Sequence, residues 1–134
     1  MKEMGNGYCF VCGPKSDVGL KLDFKLDKDK QRATCKTVLS NKYRGWTGFV
    51  HGGIIASILD GAMVYACRAI ELTYVTAELS IKYKNPIPVN SEIEITGEVK
   101  NKIPLLAYTE SNIKIDGKIA VEAKAKMFSM DYMK

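Results

Sequence analysis

Histidine and tryptophan occur only once each in this 134-residue chain, as His51 and Trp46, and proline only four times. Cysteine is also sparse, at Cys9, Cys12, Cys35 and Cys67. Zinc asks for about four ligands. Cys35 and Cys67 fall in a strand and a helix without a partner pair, so no metal site is expected. The N-terminus has no apolar signal core, because Gly5, Asn6, Gly7 and Gly13 interrupt it. The chain is therefore expected in the cytoplasm, where thiols stay reduced, and its cysteines read as free thiols rather than a disulfide frame. No run is expected to span a membrane: residues 54–70 carry Asp60 and Arg68 and are short for a hydrocarbon layer of ~30 Å. A phosphate-cradling loop, a Ser-His-Asp arrangement with a nucleophile elbow, a dinucleotide fingerprint and an internal repeat are all missing.

The chain does have the composition of a globular protein, with 46% apolar and 26% charged residues. One domain over residues 1–134 suits its length. Lys and Arg exceed Asp and Glu by 20 to 15, a net charge of +5. Acidic residues alternate with the basic ones on most strands, so no basic stripe emerges and nucleic acid is not an expected partner.

Residues 1–19 are glycine-rich and aperiodic, which reads as a loop or lid. From Leu20 the pattern alternates, predicting a half-buried strand over 20–26, and a weaker strand follows over 31–39. Residues 41–48 form a second loop, with Gly45 and Gly48 flanking Trp46. The helical spacing of Ile54, Ile55, Ile58, Leu59, Ala62, Met63, Ala66 and Ile70 predicts one long helix over 52–70. It is apolar almost all round, so other structure should surround it. Alternating strands are then expected over 76–83, 92–100, 105–115 and 119–127. Ala77, Leu79, Ile81 and Tyr83 should share one face, and Asp116-Gly117 marks a tight hairpin. Two strands, a helix and four strands with short links imply an α+β architecture, an antiparallel sheet curled around one helix.

Two features can carry chemistry. His51-Gly52-Gly53 opens the helix, where the first amides have no partners inside it. Those N–H groups and the positive end of the helix dipole suit an oxygen that gains negative charge. His51 reads equally as a helix cap. Asp60 is the second feature. Its helical neighbours Ala56, Ser57, Met63 and Val64 are not basic, so burial would be costly without a more distant partner or a wet cleft. A general base or nucleophile fits, as does a hydrogen bond to a neighbouring strand. Eight residues separate Gly52 from Asp60, roughly 12 Å along a helix. One carbonyl cannot touch both within one chain, so if both act, a two-fold dimer must bring them together. Cys9 and Cys12 read as structural thiols in a loop.

With Gly48-x-x-His51-Gly52-Gly53 and Leu59-Asp60 set in strand-strand-helix-strands, the chain resembles the hotdog-fold acyl-CoA thioesterases of the PaaI-like type. Cys9-x-x-Cys12-Gly13, Gly19-Leu20, Gly45-Trp46-x-Gly48, Thr76-Ala77-Glu78-Leu79 and Asn85-Pro86 are similar to one branch of that superfamily. The resemblance implies hydrolysis of an acyl-CoA thioester, coenzyme A being part of the substrate and no cofactor being needed. It puts the attacking or water-activating carboxylate at Asp60 and the carbonyl-polarising amide at Gly52. His51 would hold the loop, Thr76 would stand near the attacking water, and Gly53 and Trp46 would line the substrate. It also implies dimers or tetramers. The chain departs from the family at Gly45, where some relatives have Asn, and at Gly61, where close members often have Glu. A non-catalytic acyl-CoA-binding or small-ligand-binding protein is the alternative that Gly61 suggests.

Overall fold

The computed structural model describes residues 7–130; residues 1–6 of the N-terminal loop expectation lie outside them. Six strands, β1 (Lys25–Asp27), β2 (Arg32–Val38), β3 (Tyr74–Tyr83), β4 (Glu92–Ile103), β5 (Leu106–Ile115) and β6 (Lys118–Ser129), form one antiparallel sheet in the order β1-β2-β4-β5-β6-β3. One helix, α1 (Gly52–Ala69), runs between β2 and β3 in sequence and packs across the sheet. This is the expected α+β arrangement.

Alternation explains the sheet's inner face. Ile93, Ile95 and Val99 of β4, Ala107 and Ile113 of β5, and Val121, Ala123, Ala125 and Met127 of β6 are buried against the helix's Ile55, Ile58, Leu59, Ala62, Met63 and Ala66. Fully burying each of the larger side chains contributes about 1.5–3 kcal/mol. The closest approach falls at Gly97 in mid-β4, where a Cβ would lie 2.2 Å from the Ala62 carbonyl oxygen. Glycine there lets the helix backbone sit almost on the strand. The β5–β6 hairpin turns at Asp116 and Gly117, with φ of 50° and 81°, the left-handed pair that a two-residue turn requires.

Three expectations need correction. The strand expected over 20–26 pairs only at β1. Leu22 and Phe24 are buried as the alternation requires, but Lys21 takes a φ of 54°, and Leu20 and Leu22 donate their N–H groups to Phe10 and Val11 instead of a ladder. Nor does the sheet surround α1. Ile54, Ala56, Ser57, Asp60, Gly61 and Val64 are half-exposed, because six strands cover one side of the helix. Nor do all four apolar positions of β3 share one face: Leu79, Ile81 and Tyr83 register with the buried Ala125, Ala123 and Val121 on the inner face, whereas Ala77 falls in a bulge between Thr76 and Glu78. β3 is an outer strand paired only with β6, and Ala77, Leu79 and Tyr83 are exposed. α1 is long and apolar enough to cross a membrane by length and composition. Eight of its residues are buried within this fold, as in the core helix of a globular domain.

Candidate functional site

The start of α1 is built from a folded loop. A 3₁₀ turn at Asn41–Tyr43 leads into a tight reversal, in which Gly45 N–H donates to Phe49 O at 2.9 Å and Gly48 takes a φ of 87°. The Pro86–Val89 segment anchors this reversal, since Val50 N–H donates to Ile87 O at 2.8 Å and Val89 N–H to Gly48 O at 2.9 Å. Pro86 and Pro88 keep that segment out of the sheet, and Ile87 between them is buried. Trp46 stands at the tip of the reversal, 85% exposed.

His51 is the helix cap. Its Nδ1 accepts from the Gly53 N–H at 2.8 Å, and its own N–H donates to Tyr43 O at 2.9 Å. Because Nδ1 accepts, the ring proton of the neutral imidazole sits on Nε2. The glycines on either side make room for the ring. A Cβ at Gly53 would lie 3.1 Å from His51 Cε1 and Nδ1, and a Cβ at Gly45 would lie 3.1 Å from His51 Cα. Gly45 is thus a position at which any side chain crowds His51. The exposed Gly52 contributes the first N–H of the helix, which has no acceptor within the helix. Its carbonyl accepts from the Tyr83 hydroxyl at 2.8 Å, a clasp from β3 to the helix start.

Two turns along, Asp60 is half-buried on the helix face that the sheet leaves open. Thr76 Oγ1 of β3 donates to Asp60 Oδ1. A bulge interrupts the β3–β6 register between Thr76 and Glu78, directly beside that contact, and bulges commonly re-aim a side chain in this way. The hydroxyl orients the carboxylate and leaves its second oxygen able to take a proton. The structure therefore brings His51 to Gly53 and Asp60 to Thr76. It keeps the Gly52 amide and Asp60 eight residues apart on one helix, roughly 12 Å by helical rise. Trp46 joins neither pair.

Sequence reasoning missed two contributors. Tyr83 reaches Gly52 from 31 residues away, and the sequence carries no local signal for such a contact. Val11 packs onto Gly61, where a Cβ would lie 2.8 Å from Val11 Cγ1. The N-terminal segment thus packs on the helix turn just beyond Asp60.

Comparisons with known proteins follow the same line. Residues 47–103, which include the end of the loop, α1, β3 and β4, match the family model of the thioesterase superfamily. The acyl-coenzyme A thioesterase THEM4 of Xenopus laevis is 30% identical over 114 residues, covering 81% of this chain and 50% of that protein. The chain spans about half the length of the first curated relatives it matches. The crystal structure of RHA08564, a thioesterase superfamily protein, aligns with a TM-score of 0.85 and 25% identity over 92% of this chain and 60% of that one. The PaaI protein of the E. coli phenylacetic acid degradation operon aligns with a TM-score of 0.76 and 19% identity, over 83% of this chain and 80% of that one. With its six-stranded sheet laid across a single long helix as in these structures, the chain has the hotdog fold, and its residues 47–103 match the thioesterase superfamily.

Proposed function

We propose that the protein hydrolyses acyl-CoA thioesters in a site shared by two copies of the chain. Asp60 of one copy acts as base or nucleophile. The Gly52 N–H of the other polarises the thioester carbonyl. In the base route the Asp60 carboxylate takes a proton from water as the water oxygen attacks the carbonyl carbon. The resulting oxyanion is held by the Gly52 N–H and the helix dipole behind it. Collapse breaks the carbon–sulfur bond and expels the coenzyme A thiolate, which takes up the proton. Thr76 orients Asp60, and His51 fixes the first turn by capping it. Gly53 and Trp46 lie on the substrate side of the loop, and no cofactor takes part.

The observation that carries this reading is the Thr76-oriented carboxylate on a helix face left open by the sheet. The dimer is supported by β3, a ten-residue outer strand with Leu79 and Tyr83 exposed. Such an edge invites a second strand and is normally covered. Pairing two copies there would set the β3-side face of each helix toward the partner. The relatives' names support the acyl-CoA substrate class.

The direct test is release of free thiol from short, long and aromatic acyl-CoAs. Asp60→Asn keeps the shape and removes the base, so turnover should fall by about 10³-fold with an unchanged unfolding curve. An unchanged rate would reject the assignment. Saturable acyl-CoA binding by the wild type with no thiol released would favour the non-catalytic binding protein that Gly61 suggests.

A further inference from the structure

Cys9 and Cys12 stand outside the hydrolytic scheme, yet the turn that carries them is tightly built. Gly13 N–H donates to Cys9 O, and Lys15 N–H to Gly7 O, both at 2.8 Å. A Cβ at Gly13 would lie 2.4 Å from Cys9 N and 2.5 Å from Gly7 O, so only glycine closes the turn. Leu20 and Leu22 tie it to the following chain through Phe10 O and Val11 O, each at 2.8 Å. The turn closed by Gly13 N–H on Cys9 O brings Cys9 and Cys12 within each other's electrostatic reach, and the N–H groups of Val11, Cys12 and Gly13 favour the charged form of the Cys9 sulfur. Successive N–H groups around one atom make a cradle for negative charge. Cys9 is exposed, whereas Cys12 is half-buried within electrostatic reach of Tyr65 of α1. Among the described residues no group of three His, Cys, Asp or Glu side chains is placed to hold a metal ion, so the pair lacks the further ligands a tetrahedral site needs.

We propose that Cys9 and Cys12 are a redox-active dithiol that reduces low-molecular-weight disulfides, with Cys9 as the attacking sulfur and Cys12 as the resolving one. The Cys9 thiolate attacks one sulfur of the disulfide and forms a mixed disulfide. The first small thiolate leaves and takes a proton from solvent. Cys12 then loses its proton and attacks the Cys9 sulfur, which expels the second small thiolate. Two electrons pass from the protein dithiol to the small disulfide, giving one protein disulfide and two small thiols. Burial alone would raise the Cys9 pKa, but hydrogen bonds from Cys12, Val11 and Gly13 outweigh it and hold it below the ordinary thiol value. Burial raises that of Cys12, helped by the neighbouring Cys9 and opposed by Tyr65 and Arg68. Attack therefore begins at Cys9, the thiol that is both exposed and more readily ionised. Val11, between the two cysteines, packs on Gly61 beside Asp60, so the two oxidation states differ next to the candidate carboxylate.

The test uses the reduced full-length chain, glutathione disulfide at neutral pH, and intact mass. The wild type should lose two hydrogens and release two equivalents of glutathione. Cys12→Ser should gain one glutathionyl group at Cys9 and stop there, and Cys9→Ser should react at least about tenfold more slowly. A wild type that retains the mixed disulfide, or a Cys9→Ser variant that reacts as fast as the wild type, would overturn the proposal. Limiting iodoacetamide on the unmutated protein gives a check that needs no variant. Cys9 should carry at least about ten times the label of buried Cys35 or of Cys67, whose pKa burial pushes up to about 12. Equal labelling would contradict the assignment. None of these readouts depends on thioester hydrolysis, so the dithiol and the hydrolase stand or fall separately.

Discussion

Glycine at position 61 sits mid-helix, where alanine would ordinarily add about 1 kcal/mol of helix stability. Here a Cβ would stand 2.8 Å from Val11 Cγ1, so the gain is opposed by a collision with the N-terminal segment. A double-mutant cycle separates the two effects. In the Val11→Ala background Gly61→Ala should raise stability by about 1 kcal/mol, and in the wild-type background it should not. Equal effects in urea unfolding would show that Val11 and Gly61 are not coupled. Gly53 makes the same kind of room for the His51 ring. The His51-Gly52-Gly53 motif thus has a structural logic: His51 caps the helix, Gly53 clears its ring, and Gly52 leaves the first N–H open to an incoming oxygen.

At the scale of elements, helix and sheet meet most closely where Gly97 lies against the Ala62 carbonyl. The obstacle is backbone on both sides, so Gly97→Ala forces the helix off the strand. It should cost about 1–3 kcal/mol, seen as a lower urea midpoint, and a midpoint equal to wild type would refute the close contact. Across β2 and β4, Glu98 pairs with Lys100 and Arg32, each at 2.7 Å. Their hydrogen bonds, Lys100 first, hold its carboxyl below the ordinary 4.5. A depressed carboxylate contributes stability that is fully present above its ordinary value and lost as pH falls through the lowered one. The group is partly exposed, so the contribution is about 1 kcal/mol or less. Glu98→Gln should accordingly differ from wild type at pH 7 and converge with it in acid. A gap that persists below the lowered value would contradict the pairing.

These elements also show what the chain's pattern reveals. The helix was legible to within one residue at its C-terminal end because its apolar spacing is long and unbroken. The Asp116-Gly117 turn was legible because its backbone admits few residue types. Position in the sheet was not legible. Alternation in β3 marks a strand but does not say that it lies at the edge, with Leu79 and Tyr83 open. At residues 20–26 alternation recorded which side chains are buried, while the backbone hydrogen bonds went to the N-terminal turn. At the site, His51, Gly52 and Asp60 stand out by residue type. Tyr83 and Val11 do not, because their roles arise from contacts between distant segments.

For the whole molecule, the open helix face, the exposed outer strand and the distance between the Gly52 amide and Asp60 all point to a partner copy. The account's central claim is that one working site draws its carboxylate and its amide from different chains. Mixed dimers of two inactive variants test it directly. Asp60→Asn removes the carboxylate function. Gly52→Pro removes the amide N–H at the first helical position, where proline is well tolerated. His51 before it already holds ψ 135°, the extended geometry that a residue preceding proline prefers. Each variant alone should release almost no thiol from acyl-CoA. After the two are unfolded and refolded together in equal amounts, half the dimers are mixed, and each mixed dimer holds one intact site of two. Activity should then recover to about a quarter of the wild-type value. A mixture as inactive as its parents would contradict the shared site.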